Sequence, residues 1–272
     1  MAEGYPRHCA MDRRPRGVDD GHIMPMPQLN DPSLLLSIAA SFAAAGLVKG
    51  VSGMGLPTLA MALLSLFMPA PEAAALMLAP ALLSNVAQCL GPQAPMLTRR
   101  LWPLWVGMAA GTWLSPWSGL RPGAGETARL LLGPVLLAYG LFGLWRPQLP
   151  APGRHAAWIG AAAGLLGGAL NAATGVFVLP MVPYLQALKL EREAMIQALG
   201  LSFTVAALAL AARLGPQPGM SWPAPLAIAL ALLAAFAGMG LGARLRGRLA
   251  PQAFQRSLYG VFLLLGLLML AR

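Results

Sequence analysis

The feature that most constrains this chain is a run of glycine and proline inside a long apolar region, from Gly46 to Thr58. The run carries four glycines, one proline and a lysine. Because a glycine costs a helix interior about 1 kcal/mol and a proline about 3 kcal/mol, one unbroken spanning helix is excluded. The pattern predicts a helix that stops near Lys49 or Val51 and restarts near Pro57, with bare backbone N–H groups at membrane depth.

A second interrupted run, from Gly164 to Pro180, lies about 118 residues further along the chain. Its spacing repeats that of the first run and pairs Gly46 with Gly164, Gly50 with Gly168, Gly53 with Asn171, and Lys49 with Gly167. Two later segments also match, Gly107–Leu114 with Gly238–Leu245 and Arg129–Gly133 with Arg256–Gly260. Matching breaks in two halves predict an internal duplication and a transporter binding site at the broken helices.

The composition excludes an ordinary soluble domain, because 57% of the residues are hydrophobic, only 10% are charged and the mean hydropathy is +0.65. The formal net charge is +10, but Lys and Arg occur in short clusters between apolar segments. Such clusters are typical of loops that set membrane topology. We therefore expect contact with membrane lipid and no nucleic acid partner.

The predicted fold is an all-α polytopic membrane protein with about eight to ten transmembrane or re-entrant helical elements. Residues 1–32 form a polar tail that we expect to be disordered, 33–146 a first membrane repeat, 147–155 a linker and 156–272 a second membrane repeat. Each half has an odd number of crossings whether its first two elements cross fully or re-enter. The two repeats are therefore predicted to be inverted relative to each other.

Loop charge predicts the orientation of the chain. Nine cationic residues fall on one side of the layout and three on the other, although four arginines of the tail oppose this bias. The richer side is predicted to be cytoplasmic, which describes a multi-pass protein of the cell inner membrane. The nine are Arg99, Arg100, Arg146, Arg154, Lys189, Arg192, Arg244, Arg246 and Arg248, and the three are Arg121, Arg213 and Arg272.

Lys49 is the only basic residue deep within an apolar segment. A charge inside the bilayer costs at least about 2.5–3.5 kcal/mol, so we predict that it faces a bound anion. The alternative is a lysine that snorkels to a nearby interface. The other predicted substrate-binding residues lie in the two breaks, where backbone N–H groups, hydroxyls and an amide would surround an oxyanion: Gly50, Ser52, Gly53, Gly55, Asn171, Thr174 and Gly175.

Further polar residues fall on the third and eighth elements, where cavity lining and hydrogen bonding between helices are both open interpretations. They are Ser84, Asn85, Gln88, Gln197 and Thr204. Two Gly-x-x-x-Gly pairs, Gly107 with Gly111 and Gly238 with Gly242, allow close helix approach. We interpret them as packing notches, with the face of a homodimer as the alternative.

Nothing in the sequence points to an enzyme, a cofactor or a metal site. The Gly50-Val-Ser52-Gly53 run resembles the motif of an intramembrane serine protease, but His8, His22 and His155 lie in the tail or at a segment boundary, away from any such serine. No nucleotide-binding loop is present that would support pumping by ATP. The remaining alternatives are an anion channel and a membrane assembly or scaffold protein that transports nothing.

At the two interrupted runs the chain resembles the sulfite exporter TauE/SafE family of membrane anion permeases. The first run, Gly46–Pro57, is similar to the family's glycine-rich first motif. The second run, Gly164–Pro180 with its continuation through Ala198–Thr204, is similar to the second motif. The resemblance implies a secondary permease or exporter for a small anion, sulfite or an organosulfonate, bound between the two breaks. Rocking of one half against the other would expose the anion to each side in turn.

Overall fold

A computed structural model describes residues 31–117, 119–121, 124–145, 147, 149–215 and 222–271. These residues form ten α-helices and a short 3-10 turn at Gly153–His155, and they include no strand. The all-α prediction is therefore confirmed. The helices are α1 (Pro32–Ser52), α2 (Leu56–Leu64), α3 (Ala70–Cys89), α4 (Ala94–Leu114), α5 (Gly125–Trp145), α6 (Ala156–Thr174), α7 (Val178–Ala187), α8 (Arg192–Leu214), α9 (Pro225–Leu245) and α10 (Pro251–Ala271).

Seven helices of the described residues are long and apolar enough to cross a membrane, namely α1, α3, α5, α6, α8, α9 and α10. The prediction of a polytopic membrane protein is thus confirmed. Helix α4 is equally long but carries Arg99 and Arg100 near its start. Helix α2 has only nine residues, which at 1.5 Å per residue extend about 14 Å, less than half of a hydrocarbon core of roughly 30 Å.

The predicted first break is present, because α1 ends at Ser52 and α2 begins at Leu56 with Pro57 in its first turn. The depth of this break differs from the sequence expectation. Helix α1 has 21 residues, so it extends about 31 Å and can cross the core unaided. The first break therefore follows a full-length helix instead of interrupting one halfway.

Glycine stripes let helices from the two halves approach at backbone contact. In α9, β-carbons added at Gly238 and Gly242 would overlap the carbonyl oxygens of Ala43 and Leu47 in α1. Since both pairs advance together along the chain, α1 and α9 run parallel. The same glycines were predicted to be packing notches or a dimer face, and the structure places them inside one chain.

The interface between α4 and α6 repeats this arrangement. Glycines 107 and 111 of α4 lie against Ala161 and Leu165 of α6, each 118 residues beyond Ala43 and Leu47. The predicted register therefore holds in the helix bodies. Helices α5 and α10 pack antiparallel, with Gly133 near Gly266 and Gly140 near Tyr259. The match of Gly133 with Gly260 is not repeated in the packing, because a β-carbon at Gly260 would meet nothing within 4 Å.

The largest helix–helix interfaces, α1 with α9, α4 with α6, α5 with α10 and α3 with α8, all join the first half of the chain to the second. In the repeat, α1 corresponds to α6, α3 to α8, α4 to α9 and α5 to α10. The interface of α1 with α9 is therefore the counterpart of that between α6 and α4, and each of the other two interfaces joins a helix to its own counterpart. The two halves are thus interlocked. Their inverted orientation stays a prediction, as does the division into a tail, two repeats and a linker.

Large apolar side chains remain exposed on the outside of the helices. Leu36 is 71% exposed, Trp158 79% and Leu233 71%. In water such a surface would be a liability, whereas in a bilayer it is the surface that faces lipid. Of the predicted tail only Asp31 and Pro32 are described, and they cap and begin α1. Arg146 and Arg272 of the charge count lie outside the described residues.

Candidate functional site

The first break is held by a left-handed glycine and by one hydroxyl. Gly53, with φ of 82°, donates its N–H to the carbonyl of Lys49 at 2.8 Å and so ends α1. Ser52 Oγ lies 2.8 Å from the carbonyl of Val48 and accepts the N–H of Met54 at 3.3 Å. The Ser52 hydroxyl, predicted to face an anion, is therefore engaged by the backbone of its own turn.

The second break begins with the same local geometry, although the backbone of Leu179 in the first turn of α7 is again non-helical. Gly175, with φ of 71°, donates its N–H to the carbonyl of Asn171 at 2.8 Å. Thr174 Oγ1 lies 2.8 Å from the carbonyl of Leu170 and accepts the N–H of Val176 at 3.2 Å. Each break thus combines a hydroxyl with a left-handed backbone position, which glycine adopts without steric cost.

This geometry corrects the sequence pairing at the breaks themselves. By their roles, Gly53 corresponds to Gly175, and Ser52 to Thr174, a separation of 122 residues. The predicted pairing of Gly53 with Asn171, at 118 residues, is wrong here because α6 continues for one extra turn of about four residues before it ends. Lys49 consequently corresponds to Asn171 and not to Gly167.

Lys49 is enclosed between α1 and α3. Its side chain is only 2% exposed, and Nζ donates to Ser84 Oγ at 2.9 Å and to Asn85 Oδ1. The ammonium group therefore does not snorkel to an interface. Both partners are neutral, so neither balances a positive charge.

Two buried polar atoms of α3 have no hydrogen-bond partner among the described residues. They are Nδ2 of Asn85, a residue that is fully buried, and Oε1 of Gln88. Gln88 Nε2 itself donates to the carbonyl of Gly53 at 2.7 Å, which ties α3 to the break. An unsatisfied buried polar group costs about 1–3 kcal/mol. The Asn85 N–H groups are thus ready to donate to an acceptor that none of the described residues supplies.

Asn171 holds the equivalent position in the second half, where its partner comes from α8. The residue is fully buried, and its Nδ2 donates to the carbonyl of Ala206 at 3.0 Å while its Oδ1 has no partner among the described residues. A cation stands at one break and a neutral amide at the other. The two polar sites are therefore built alike but carry different charge.

A cavity of about 510 Å³ opens onto the first break through Val51, Ser52 and Met54. None of the second-break residues lines this cavity. At the second break Thr174 and Gly175 are buried, and a β-carbon added at Gly175 would lie 3.1 Å from the Met61 sulfur of α2. Lys49 itself does not line the cavity, so in this conformation it is shut off from the space beside Ser52.

The sulfite exporter TauE/SafE family model matches residues 38–269, which include both breaks and nine of the ten helices in full or nearly so. The chain belongs to the TauE/SafE family. No curated protein and no solved structure matches it. The family is one of membrane permeases and not of enzymes, so the predictions of a membrane protein and of a permease are confirmed.

In this TauE/SafE protein, Gln197 and Thr204 act between helices and do not line the cavity beside the first break. Gln197 Nε2 donates to the carbonyls of Cys89 and Gly91 at 3.1 and 3.0 Å. Thr204 Oγ1 lies 2.8 Å from the carbonyl of Gly200 and 3.3 Å from Cys89 Sγ. Of the two open interpretations, both contacts fit hydrogen bonding between α3 and α8.

Two arginines beside the first break were missed as site residues by the sequence reasoning. Arg246 donates through Nε and Nη2 to the carbonyl of Gly50 at 3.1 and 2.6 Å, and Arg192 lines the same cavity. Both were counted only as loop charge. The available signal was the alternating Arg244-Leu-Arg246-Gly-Arg248 run directly after a glycine stripe, although only the packing of α9 on α1 brings it to the break. No group of His, Cys, Asp or Glu within the described residues could hold a metal ion.

Proposed function

We propose that this TauE/SafE protein is a secondary permease of the cell inner membrane for a small anion, sulfite or an organosulfonate. The observation that carries the proposal is the enclosed Lys49 with its neutral partners Ser84 and Asn85. A buried charge is costly unless it is paired, and no acidic side chain of the described residues is among the partners of Lys49. A bound anion would supply the missing charge.

The hydrogen-bond donors around Lys49 suit an oxyanion. The ammonium group has three N–H bonds, of which Ser84 and Asn85 accept two, and the Asn85 Nδ2, which has no partner among the described residues, adds two more. These donors belong to neighbouring groups, since Lys49 Nζ bonds to the oxygen of the same Asn85 amide. A sulfite or sulfonate group carries three oxygens and accepts from several directions at once, which fits donors of this number and charge.

Access from one side at a time is supported by the unequal state of the two breaks. The first break adjoins a cavity, whereas Thr174 and Gly175 of the second break are buried. A permease requires such asymmetry, with a second conformation in which the closed side opens. An anion channel would need both sides open together.

The interlocked helices change which parts of the protein would move. Rocking of one whole half against the other would separate α1 from α9 and α4 from α6, where glycine and backbone are in direct contact. We therefore propose that α1 with α9, and α4 with α6, each move as one body. The short helices α2 and α7 then follow the break to which each is joined.

The test is anion flux in vesicles that contain the purified protein. Internal sulfite, sulfoacetate, sulfate or acetate is released down its gradient, and the initial rate is measured over a range of concentrations. We expect saturable flux of sulfite or an organosulfonate above that of sulfate and acetate. Flux that rises without saturation would support a channel, and no flux above empty vesicles would support an assembly protein.

A further inference from the structure

The cavity beside the first break has the size and lining of a binding site of its own. Its volume of about 510 Å³ lies within the roughly 300–1,000 Å³ that small-molecule sites occupy. It lies where the end of α1 meets the start of α8, the end of α9 and the start of α10. Most of its lining is aliphatic or aromatic: Val51, Met54, Leu190, Met195, Ile196, Leu199, Leu249 and Phe254.

Two arginines interrupt this apolar lining. Arg192 and Arg246 both line the cavity, and Arg246 is held in place by its two hydrogen bonds to the Gly50 carbonyl. Arg192 is also the first residue of α8, where the positive end of the helix dipole adds to its charge. Glu191 and Glu193 flank Arg192 in the chain, but neither lines the cavity.

We propose that this cavity binds an organic anion that carries an aliphatic chain. The anionic group would pair with the guanidinium groups of Arg192 and Arg246, and the chain would lie over Leu199, Leu249 and Phe254. This site is separate from the one at Lys49, which does not line the cavity. Binding here does not depend on transport, whereas a role as the entrance for a carried anion rests on the proposed function.

The binding test uses the full chain in nanodiscs of phosphatidylcholine, with linear alkanesulfonates from methane- to hexanesulfonate as probes. Burial of each methylene contributes about 0.8 kcal/mol, so Kd is expected to fall by up to about fourfold per added carbon. Arg192→Gln should raise Kd by about tenfold or more, since a hydrogen bond to a charged group is lost, while Arg192→Lys should restore part of the affinity.

Arg248→Gln is the matched control, because this substitution removes the same charge as Arg246→Gln. Arg248 lies two residues beyond Arg246 and does not line the cavity. Arg246→Gln is a second test, and Arg192→Gln keeps the proposal testable if loss of the Gly50 contact impairs folding. A Kd that is independent of chain length would overturn the proposal. So would equal binding by Arg192→Gln and Arg248→Gln at full thermal stability.

Two additional arms identify the source of the ligand and separate this proposal from the transport function. If phosphatidylglycerol in the nanodisc raises the Kd of hexanesulfonate competitively, the natural anion is a lipid, and the assigned chemistry stands. Chain-dependent binding without flux of sulfite or of an organosulfonate in vesicles would uphold the cavity and refute the permease. Sulfite flux without chain-dependent binding would uphold the permease and refute the cavity.

Discussion

The glycine stripe between α1 and α9 yields a sharp stability prediction, because α9 contains a contacting and a free glycine two residues apart. A β-carbon at Gly238 would overlap the carbonyl oxygen of Ala43 and lie 2.9 Å from the Leu47 nitrogen. One at Gly240 would meet nothing within 4 Å. Gly238→Ala and Gly240→Ala therefore make the same chemical change with and without a steric cost.

The expected magnitudes follow from two opposing terms. Replacing a helix glycine by alanine stabilises either variant by about 1 kcal/mol through helix propensity. Overpacking a close interface costs about 1–3 kcal/mol, and the obstacle at Gly238 is backbone, which cannot rotate away. Gly240→Ala should therefore gain stability, and Gly238→Ala should fall about 1–3 kcal/mol below it.

The assay compares thermal and denaturant unfolding of the two purified variants in one detergent. Gly107→Ala serves as a repeat of the experiment in the other half, because its β-carbon would overlap the Ala161 carbonyl in the same way. It should lose as much stability as Gly238→Ala. Equal stability of Gly238→Ala and Gly240→Ala would refute the close packing of α1 on α9.

Three further predictions concern the breaks and one helix end. Gly53→Ala should cost about 1–2 kcal/mol because its φ of 82° is left-handed, and a neutral effect on unfolding would contradict this geometry. Thr174→Val should cost about 1–3 kcal/mol by leaving the Val176 N–H unsatisfied, with Thr174→Ser as the rescue and hydrogen exchange at Val176 as the readout. Arg213→Gln should lower the unfolding temperature, since Arg213 binds carbonyls at the end of α4. The exposed Arg244→Gln should not, and equal losses would refute the capping role.

Much of the fold could be predicted because the physical constraints are local. Glycine and proline between Gly50 and Pro57 exclude a continuous helix wherever the segment lies, and both breaks are found where that rule puts them. The register of 118 residues in the helix bodies was likewise visible, because Gly46 and Gly50 of α1, which touch backbone, recur as Gly164 and Gly168 of α6. Apolar length then indicated the spanning helices.

The details of the site were less accessible for reasons that are also physical. The extra turn of α6 is not visible in the sequence. Ser52-Gly53 and Thr174-Gly175 play the same structural role, but the spacing of 118 residues pairs Gly53 with Asn171 instead of Gly175. Ser84 and Asn85 were singled out as polar, but only the packing of α3 against α1 makes them the partners of Lys49.

The arginines at the first break were missed for the same reason. Arg246 reaches Gly50 across 196 positions of the chain, because α9 packs on α1 and not on its own repeat. The number of charges in a loop follows from residues adjacent in the sequence, whereas the contact of Arg246 with Gly50 depends on how the two halves pack together. Sequence patterns within a segment therefore predicted the breaks, and contacts between distant segments decided what faces them.

The central claim is that the enclosed Lys49 charge binds the carried anion, and its most direct measurement is sulfite flux by Lys49→Met in vesicles. Methionine keeps the unbranched shape of lysine and removes its charge. The chain's only other lysine, Lys189, is exposed, and Lys189→Met provides the matched control. We predict that saturable flux is lost in Lys49→Met and kept in Lys189→Met, with both proteins monodisperse. Undiminished flux by Lys49→Met would contradict the account.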